Sequence, residues 1–180
     1  MRVQKAFLLP LFLLLAVCSF GQQKPATKAT PPPLSPPATA ETTVHGKKIS
    51  IAYSRPSMRG RKIMGGLVPY GQVWRTGANS ATTLTTDADL TIGGVPVPKG
   101  TYTLYSLPSD GTWKLIINKE TGQSGTKYDQ SQDLARVDMR KDELSKPVET
   151  FQISFEPEKD PQWLILQWEK TKLSVPVAAQ

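Results

Sequence analysis

Cysteine is almost absent: the 180-residue chain has one, Cys18, and it has one histidine, His45. Cys18 lies inside an N-terminal apolar run, so the rest of the chain can build neither a disulfide nor a thiolate metal site. A lone histidine leaves almost nothing for a zinc site or a Ser-His pair. His45 is expected to be an exposed residue leading into the first strand. Long hydrophobic runs are scarce too. Ala6 to Val17 is the one sizeable stretch, too short to span a bilayer by the usual length criterion. Acid is missing from one place in particular. Thr42 to Thr86 contains no Asp or Glu but seven basic residues, among them Arg55, Arg59, Arg61 and Arg75. The formal net charge is +7; this stretch alone carries +7, while Asp87 to Gln180, with eleven basic and fourteen acidic residues, carries −3. The excess is local, which says more about partners than the overall charge does.

What is present first describes a destination. Arg2 and Lys5 precede the apolar run, and Ser19-Phe-Gly21 places small residues at the −3 and −1 positions before Gln22. Residues 1–21 therefore have the anatomy of a secretory signal peptide. A lipid anchor at Cys18 is the alternative, opposed by Val17, where such sites want a small residue. Export without a disulfide framework suits a periplasmic or secreted bacterial protein with no transmembrane helix after cleavage. Residues 22–44 are rich in Pro, Ala and Thr, and Pro31-Pro-Pro33 and Pro36-Pro37 favour a disordered, extended spacer. The folded domain is accordingly placed at residues 45–177.

That domain is dense in strand signals. Ile49, Ile51 and Tyr53 alternate with polar or small residues, as do Phe151, Ile153 and Phe155. Thr101-Tyr-Thr-Leu-Tyr105 and Trp113-Lys-Leu-Ile-Ile117 flank Pro108-Ser-Asp-Gly111 and should form a hairpin. Gly93-Gly94 reads as a tight turn joining Leu90–Ile92 to Val95–Val97, with Pro96 pushing that strand toward an edge. Trp163–Trp168 and Lys172–Val175 close the chain, and only Asp129 to Val137 suggests a short helix. No internal repeat is evident. The expected fold is all-β, an antiparallel sandwich of about 8–10 strands with at most one short helix; a closed barrel is the alternative.

Catalytic chemistry finds little support. Ser124-Gly-Thr-Lys127 matches a Ser-x-x-Lys pattern, but in loop-like text and without its partner motifs. No spacing singles out a pair of acids for glycoside hydrolysis, and no glycine loop has the context needed to cradle phosphate. Trp113 and Trp168 belong to strand patterns and are assigned to the core; Trp74, beside Arg75, is not so easily placed. No cofactor and no metal site is implied. Export and the modest charge argue against nucleic acid.

The basic stretch is the segment to suspect. If Arg55, Arg61 and Arg75 converged at ~6 Å, each pair would repel by about 3 kcal/mol at an effective dielectric near 20. Such a cluster wants a counter-charge. Internal pairing with Asp138, Asp142, Glu143 or Glu156 takes precedence, because structural ion pairs perturb charges as readily as functional ones. An external carboxylate or phosphate held by guanidinium forks is the other source.

The strings Tyr53-Ser-Arg-Pro56, Gly60-Arg61, Leu67-Val-Pro69, Val73-Trp-Arg-Thr-Gly-Ala-Asn79, Thr91-Ile-Gly93, Val97-Pro-Lys-Gly-Thr-Tyr-Thr-Leu-Tyr105, Ile117-Asn-Lys119 and Phe151-Gln-Ile-Ser-Phe155 occur in that order, with Trp113 and Trp168. Together they resemble the bacterial domain of unknown function 2911. Met64 departs from the aromatic typical of the family, a change of packing more than of chemistry. The resemblance implies an exported β-rich domain and brings no catalytic assignment. The expectation is an extracytoplasmic, non-enzymatic domain binding an anionic or carbohydrate envelope ligand. Arg55, Arg61 and Arg75 would grip the anion, Asn79 would add a directional hydrogen bond, and Tyr53 and Trp74 would wall the site. A polysaccharide hydrolase and a purely structural scaffold are the rivals.

Overall fold

The structure, a computed structural model, describes residues 33–156 and 161–180. The expected signal peptide, its Cys18 alternative and the first part of the spacer lie outside the described residues. Nine strands follow in chain order: β1 Pro37–Val44, β2 Lys47–Ser54, β3 Thr82–Thr86, β4 Leu90–Ile92, β5 Val95–Val97, β6 Gly100–Leu107, β7 Trp113–Asn118, β8 Asp133–Glu156 and β9 Gln162–Ala179. All pairings are antiparallel. The fold is therefore all-β, with a strand count inside the expected range.

The strands form one hydrogen-bonded order, β1-β2-β3-β6-β7-β8-β9-β4-β5, rather than two separately bonded layers. The long β8 makes this possible. Its first residues pair with β7, whereas from Arg140 onward it pairs with β9. The order curls back over the core: Tyr53 of β2 hydrogen-bonds Ile153 of β8, although three strands separate them in the sequence of pairings. Ile49, Ile51, Leu104, Trp113, Leu115, Ile117, Val137, Phe151, Leu166 and Trp168 join in one buried cluster. Each large side chain so buried contributes about 1.5–3 kcal/mol.

His45 is exposed as expected, but instead of leading into the first strand it forms with Gly46, at φ of 47° and 77°, a two-residue turn between β1 and β2. Gly93 and Gly94, with φ of 58° and 84°, make the expected two-residue turn between β4 and β5. At Gly93 there is a second constraint, since a Cβ would lie 2.9 Å from Val137 Cβ. The Pro108–Gly111 stretch joins β6 to β7 as a hairpin.

Four expectations need correction. The spacer does not extend to residue 44, because Pro37 to Val44 pairs in unbroken register with Ser54 to Lys47. Ala40 and Val44 are buried in that strand. The low-complexity text concealed a period-two alternation of small apolar residues with Thr and Glu, and Pro37 occupies the strand start, where a missing N–H is tolerated. At the other end β9 runs past Val177 to Ala179, pairing with Leu90 of β4. The short helix over Asp129–Val137 shrinks to a 3₁₀ turn, Gln130–Gln132, capped by the Asp129 carboxylate on Ser131 N. Asp133 onward pairs with β7 and buries Val137 and Met139, so cross-strand packing overrides local preference. Finally, the two segments foreseen at Trp163–Trp168 and Lys172–Val175 are one strand, interrupted by Glu169 at φ 52°.

Candidate functional site

Residues 55–81 link β2 to β3 without forming a strand in the sheet order. The segment is held mainly through its backbone. Met58 N donates to Glu149 O (2.8 Å), and Pro56 O accepts from Phe151 N (2.9 Å). Two carboxylates also grip it: Glu149 accepts from Arg59 N (2.9 Å) and Glu169 from Met64 N (3.0 Å). Ile63 and Val68 are fully buried and pin its middle to the core. Further on, Trp74 and Ser106 exchange two backbone hydrogen bonds of 2.8 Å.

The following residues are bent into an unusual course. Thr76 has φ 52°, which a β-branched residue seldom adopts, and Asn79 has φ 58°. Thr76 is completely buried, its Oγ1 lies 2.7 Å from Ser106 Oγ, and its carbonyl accepts from Thr82 Oγ1 at 2.8 Å. Strain of this sort persists only where surrounding contacts over-determine it. The consequence is that Trp74, Arg75 and Asn79 border one hollow.

That hollow is a cleft of about 510 Å³. Trp74 forms a wall, stacked on Trp168 (5.8 Å, 21°) and met edge-on by Phe151 (5.1 Å, 77°). Arg61 and Arg75 both reach the cleft, as do Tyr105, Thr126 and Tyr128 from the opposite side. A bridge between Ser80 and Ser124 brings the 121–128 loop against Asn79. Gly125 is required there, because a Cβ would sit 2.8 Å from Asn79 O and 2.9 Å from Arg75 Cδ. Leu34 and Leu67, two of the exposed large hydrophobic residues, also border it. None of the lining residues is Asp or Glu.

The internal ion pairing expected for the arginines does not occur. Asp138 pairs with Lys114, Asp142 with Arg140, Glu143 with Lys170 and Glu156 with Lys172. Asp138 faces Lys114 of β7 in register, Asp142 shares β8 with Arg140 two residues before it, and Glu143 and Glu156 reach lysines of β9. Among the described residues, no carboxylate forms a salt bridge with Arg55, Arg59, Arg61 or Arg75. Their guanidiniums turn instead to backbone carbonyls: Arg55 Nε to Phe151 O, Arg59 Nη2 to Leu34 O, and Arg61 to Met58 O and Ser57 O. Arg75 is half-buried, and its guanidinium has no hydrogen bond or ion pair among the described residues.

Of the six candidate residues, the cleft gathers Arg61, Trp74, Arg75 and Asn79. Tyr53 and Arg55 do not line it. The Tyr53 hydroxyl donates to Ile153 O and accepts from Ile153 N, closing β2 over β8 from inside the core. Arg55 is half-buried with its Nε on Phe151 O. Asn79 donates through Nδ2 to Ser35 O at 3.3 Å, leaving its amide oxygen toward solvent.

Sequence reasoning missed the far wall. Tyr105 and Tyr128 meet edge to face at 5.0 Å. Tyr105 donates to Lys127 O and accepts from Gln123 Nε2; burial raises its pKa. Tyr128 donates to Asp133 (2.6 Å) and accepts from Arg136. Burial first, then the hydrogen bond to Asp133, pushes its pKa up to about 12. Both phenols stay protonated near neutrality with their donors already engaged. Nothing in the local text marked them, since both belong to stretches read as strand or loop.

The Ser-x-x-Lys match has no catalytic geometry. Lys127 Nζ binds Glu120 at 2.6 Å, and that hydrogen bond raises its pKa, the reverse of what a base requires. Ser124 shares its hydroxyl with Thr126. Among the described residues no group of three or more His, Cys, Asp or Glu could hold a metal ion.

Fold and cleft together define an all-β domain with an arginine- and tryptophan-lined recess. The chain belongs to the family described as Protein of unknown function (DUF2911), whose match covers residues 35–177. That span begins close to β1, in keeping with the corrected domain boundary. No curated protein and no solved structure matches the chain.

Proposed function

We propose that this is an exported, non-enzymatic binding domain whose cleft takes an anionic or polyhydroxylated ligand of the bacterial envelope. The observation that carries this reading is a half-buried Arg75 without a counter-charge among the described residues, sharing with Arg61 a recess of about 510 Å³ with no acidic lining. A cleft of that size suits a small molecule. Desolvating a guanidinium without a partner is costly unless a ligand supplies the missing acceptor. The signal-like residues 1–21 and the Pro-rich text after them support delivery outside the cytoplasm. A hydrolase acting in this cleft would need its general acid and base from beyond the lining residues, and no observation favours one.

Glucuronate, which is both a carboxylate and a polyol, tests the reading. It should raise the melting temperature by mass action. Arg75→Met, alone or with Arg61→Met, should abolish that rise while leaving the unliganded protein within about 0.5 kcal/mol of its normal stability, as for a surface change. An unchanged response to glucuronate accompanied by a clear loss of stability would mean the arginines only brace loops.

A further inference from the structure

Resting on the binding reading above, we infer that the cleft selects a small amphipathic monoanion, a carboxylate carried on a flat apolar body, over a neutral polyhydroxylated molecule. Deciding between the two comes down to which polar groups remain free. The hydroxyls of Tyr105 and Tyr128 already donate, to Lys127 O and Asp133. Among the lining side chains, those without a hydrogen bond among the described residues include two half-buried donors, the Arg75 guanidinium and the Trp74 indole N–H, and the Ser35 hydroxyl; the Asn79 amide oxygen, an acceptor, belongs to an exposed residue. Arg61, an exposed residue, donates Nε to Met58 O and Nη2 to Ser57 O but keeps further N–H groups.

A guanidinium has five N–H donors and no acceptor, and an indole has one donor only. A neutral polyol presents hydroxyls that must donate as well as accept. With no carboxylate in the wall, the hydrogens of a sugar bound at depth would face donors, leaving them unsatisfied. The neutral acceptors, such as the Asn79 amide oxygen, are at the exposed rim. A carboxylate is acceptor-only, so every one of its lone pairs can be met. One wall is apolar and flat: Trp74, stacked on Trp168, borders the cleft, and the exposed Leu34 and Leu67 line it as well. Those side chains suit a ligand with an apolar body attached to the anion.

Calorimetric titration of the full chain with 3-phenylpropionate, its amide 3-phenylpropionamide and maltose separates the cases. The carboxylate should bind saturably, and the amide should bind at least about tenfold more weakly, roughly 1.4 kcal/mol. Maltose should give no saturable heat. Arg75→Gln should cost at least about tenfold in affinity for the carboxylate while leaving the melting temperature unchanged, and should cost the amide clearly less, since a neutral carbonyl makes the weaker hydrogen bond to a guanidinium. Saturable maltose binding, or equal binding of carboxylate and amide, overturns the ligand class yet leaves a binding cleft standing. No saturable heat from any of the three in the millimolar range overturns both.

Discussion

The basic loop of residues 55–79 and the ribbon of β8 and β9 use their charged residues differently: the loop's are all basic, the ribbon's are of both signs. In the ribbon each of the four acids first suspected as counter-charges has a cationic side chain within reach, Lys114, Arg140, Lys170 or Lys172. Lys114 and Asp138 are register partners across β7 and β8, and Arg140 and Asp142 lie two residues apart on one side of β8; extended strands make such meetings frequent. In the loop, the nearby acids Glu149 and Glu169 take backbone amides, and guanidiniums take backbone carbonyls. The loop's irregular course creates many backbone groups without sheet partners, and these absorb the side chains first. Positive charge is left over as a result of backbone accounting. It stays concentrated where the chain has no strand to pair with.

The ribbon still controls the loop, through aromatic packing. Trp168 of β9 and Phe151 of β8 form the floor on which Trp74 lies, and Trp168 Nε1 donates to Glu149 O. Trp168→Ala is therefore expected to have the largest effect of any substitution considered. A fully buried Trp replaced by Ala costs about 3–5 kcal/mol, read as a shift in the midpoint of denaturant unfolding. Trp74, only half-buried, should cost less when changed to Ala. Equal losses at the two positions would break the distinction between floor and wall.

That distinction was only partly legible beforehand. The fold was readable because period-two alternation and glycine turns are local: Ile49-Ser-Ile51 and Gly93-Gly94 each specify their own geometry. β1 escaped because Ala and Thr form strands only when a neighbour offers pairing, and that neighbour lies across a turn. Arg61, Trp74, Arg75 and Asn79 could be named because they share one unusual stretch. Their companions Tyr105, Thr126 and Tyr128 are brought in by the Ser80–Ser124 bridge, a long-range contact with no local mark. Charge pairing was misjudged for a related reason: composition counts acids but does not say which strand each one faces.

Tyr53 gives the middle-sized test. It comes from the same Tyr-Ser-Arg-Pro string as Arg55, yet its hydroxyl serves the backbone of Ile153 as donor at 3.3 Å and as acceptor at 3.0 Å. Tyr53→Phe removes one oxygen and strands a buried N–H, at a cost of about 1–3 kcal/mol. Affinity for a carboxylate ligand in the cleft should not move. Arg75→Gln is expected to do the opposite, costing affinity and sparing stability. A Tyr53→Phe protein with full stability and weakened binding would put the phenol in the recognition site after all.

The smallest effect belongs to an exposed ion pair that joins β7 to the ribbon. Lys114 and Asp138 touch at 2.5 Å, but their side chains are 43% and 65% exposed. Water screens such a pair, and holding two mobile side chains together costs entropy, so the contribution is about 0–1 kcal/mol. Asp138→Asn should lower stability by no more than that. The loss should disappear in ~1 M salt, where the screening length falls to about 3 Å. A larger loss that persisted in salt would show that the ribbon depends on its charges for folding. The loop's uncompensated arginines would then be harder to understand, because the same acids, if redirected, could have stabilised that segment too. A small, salt-sensitive loss fits the opposite view: pairing in the ribbon follows from strand geometry, and Arg75 goes without a carboxylate because no strand carries one to it.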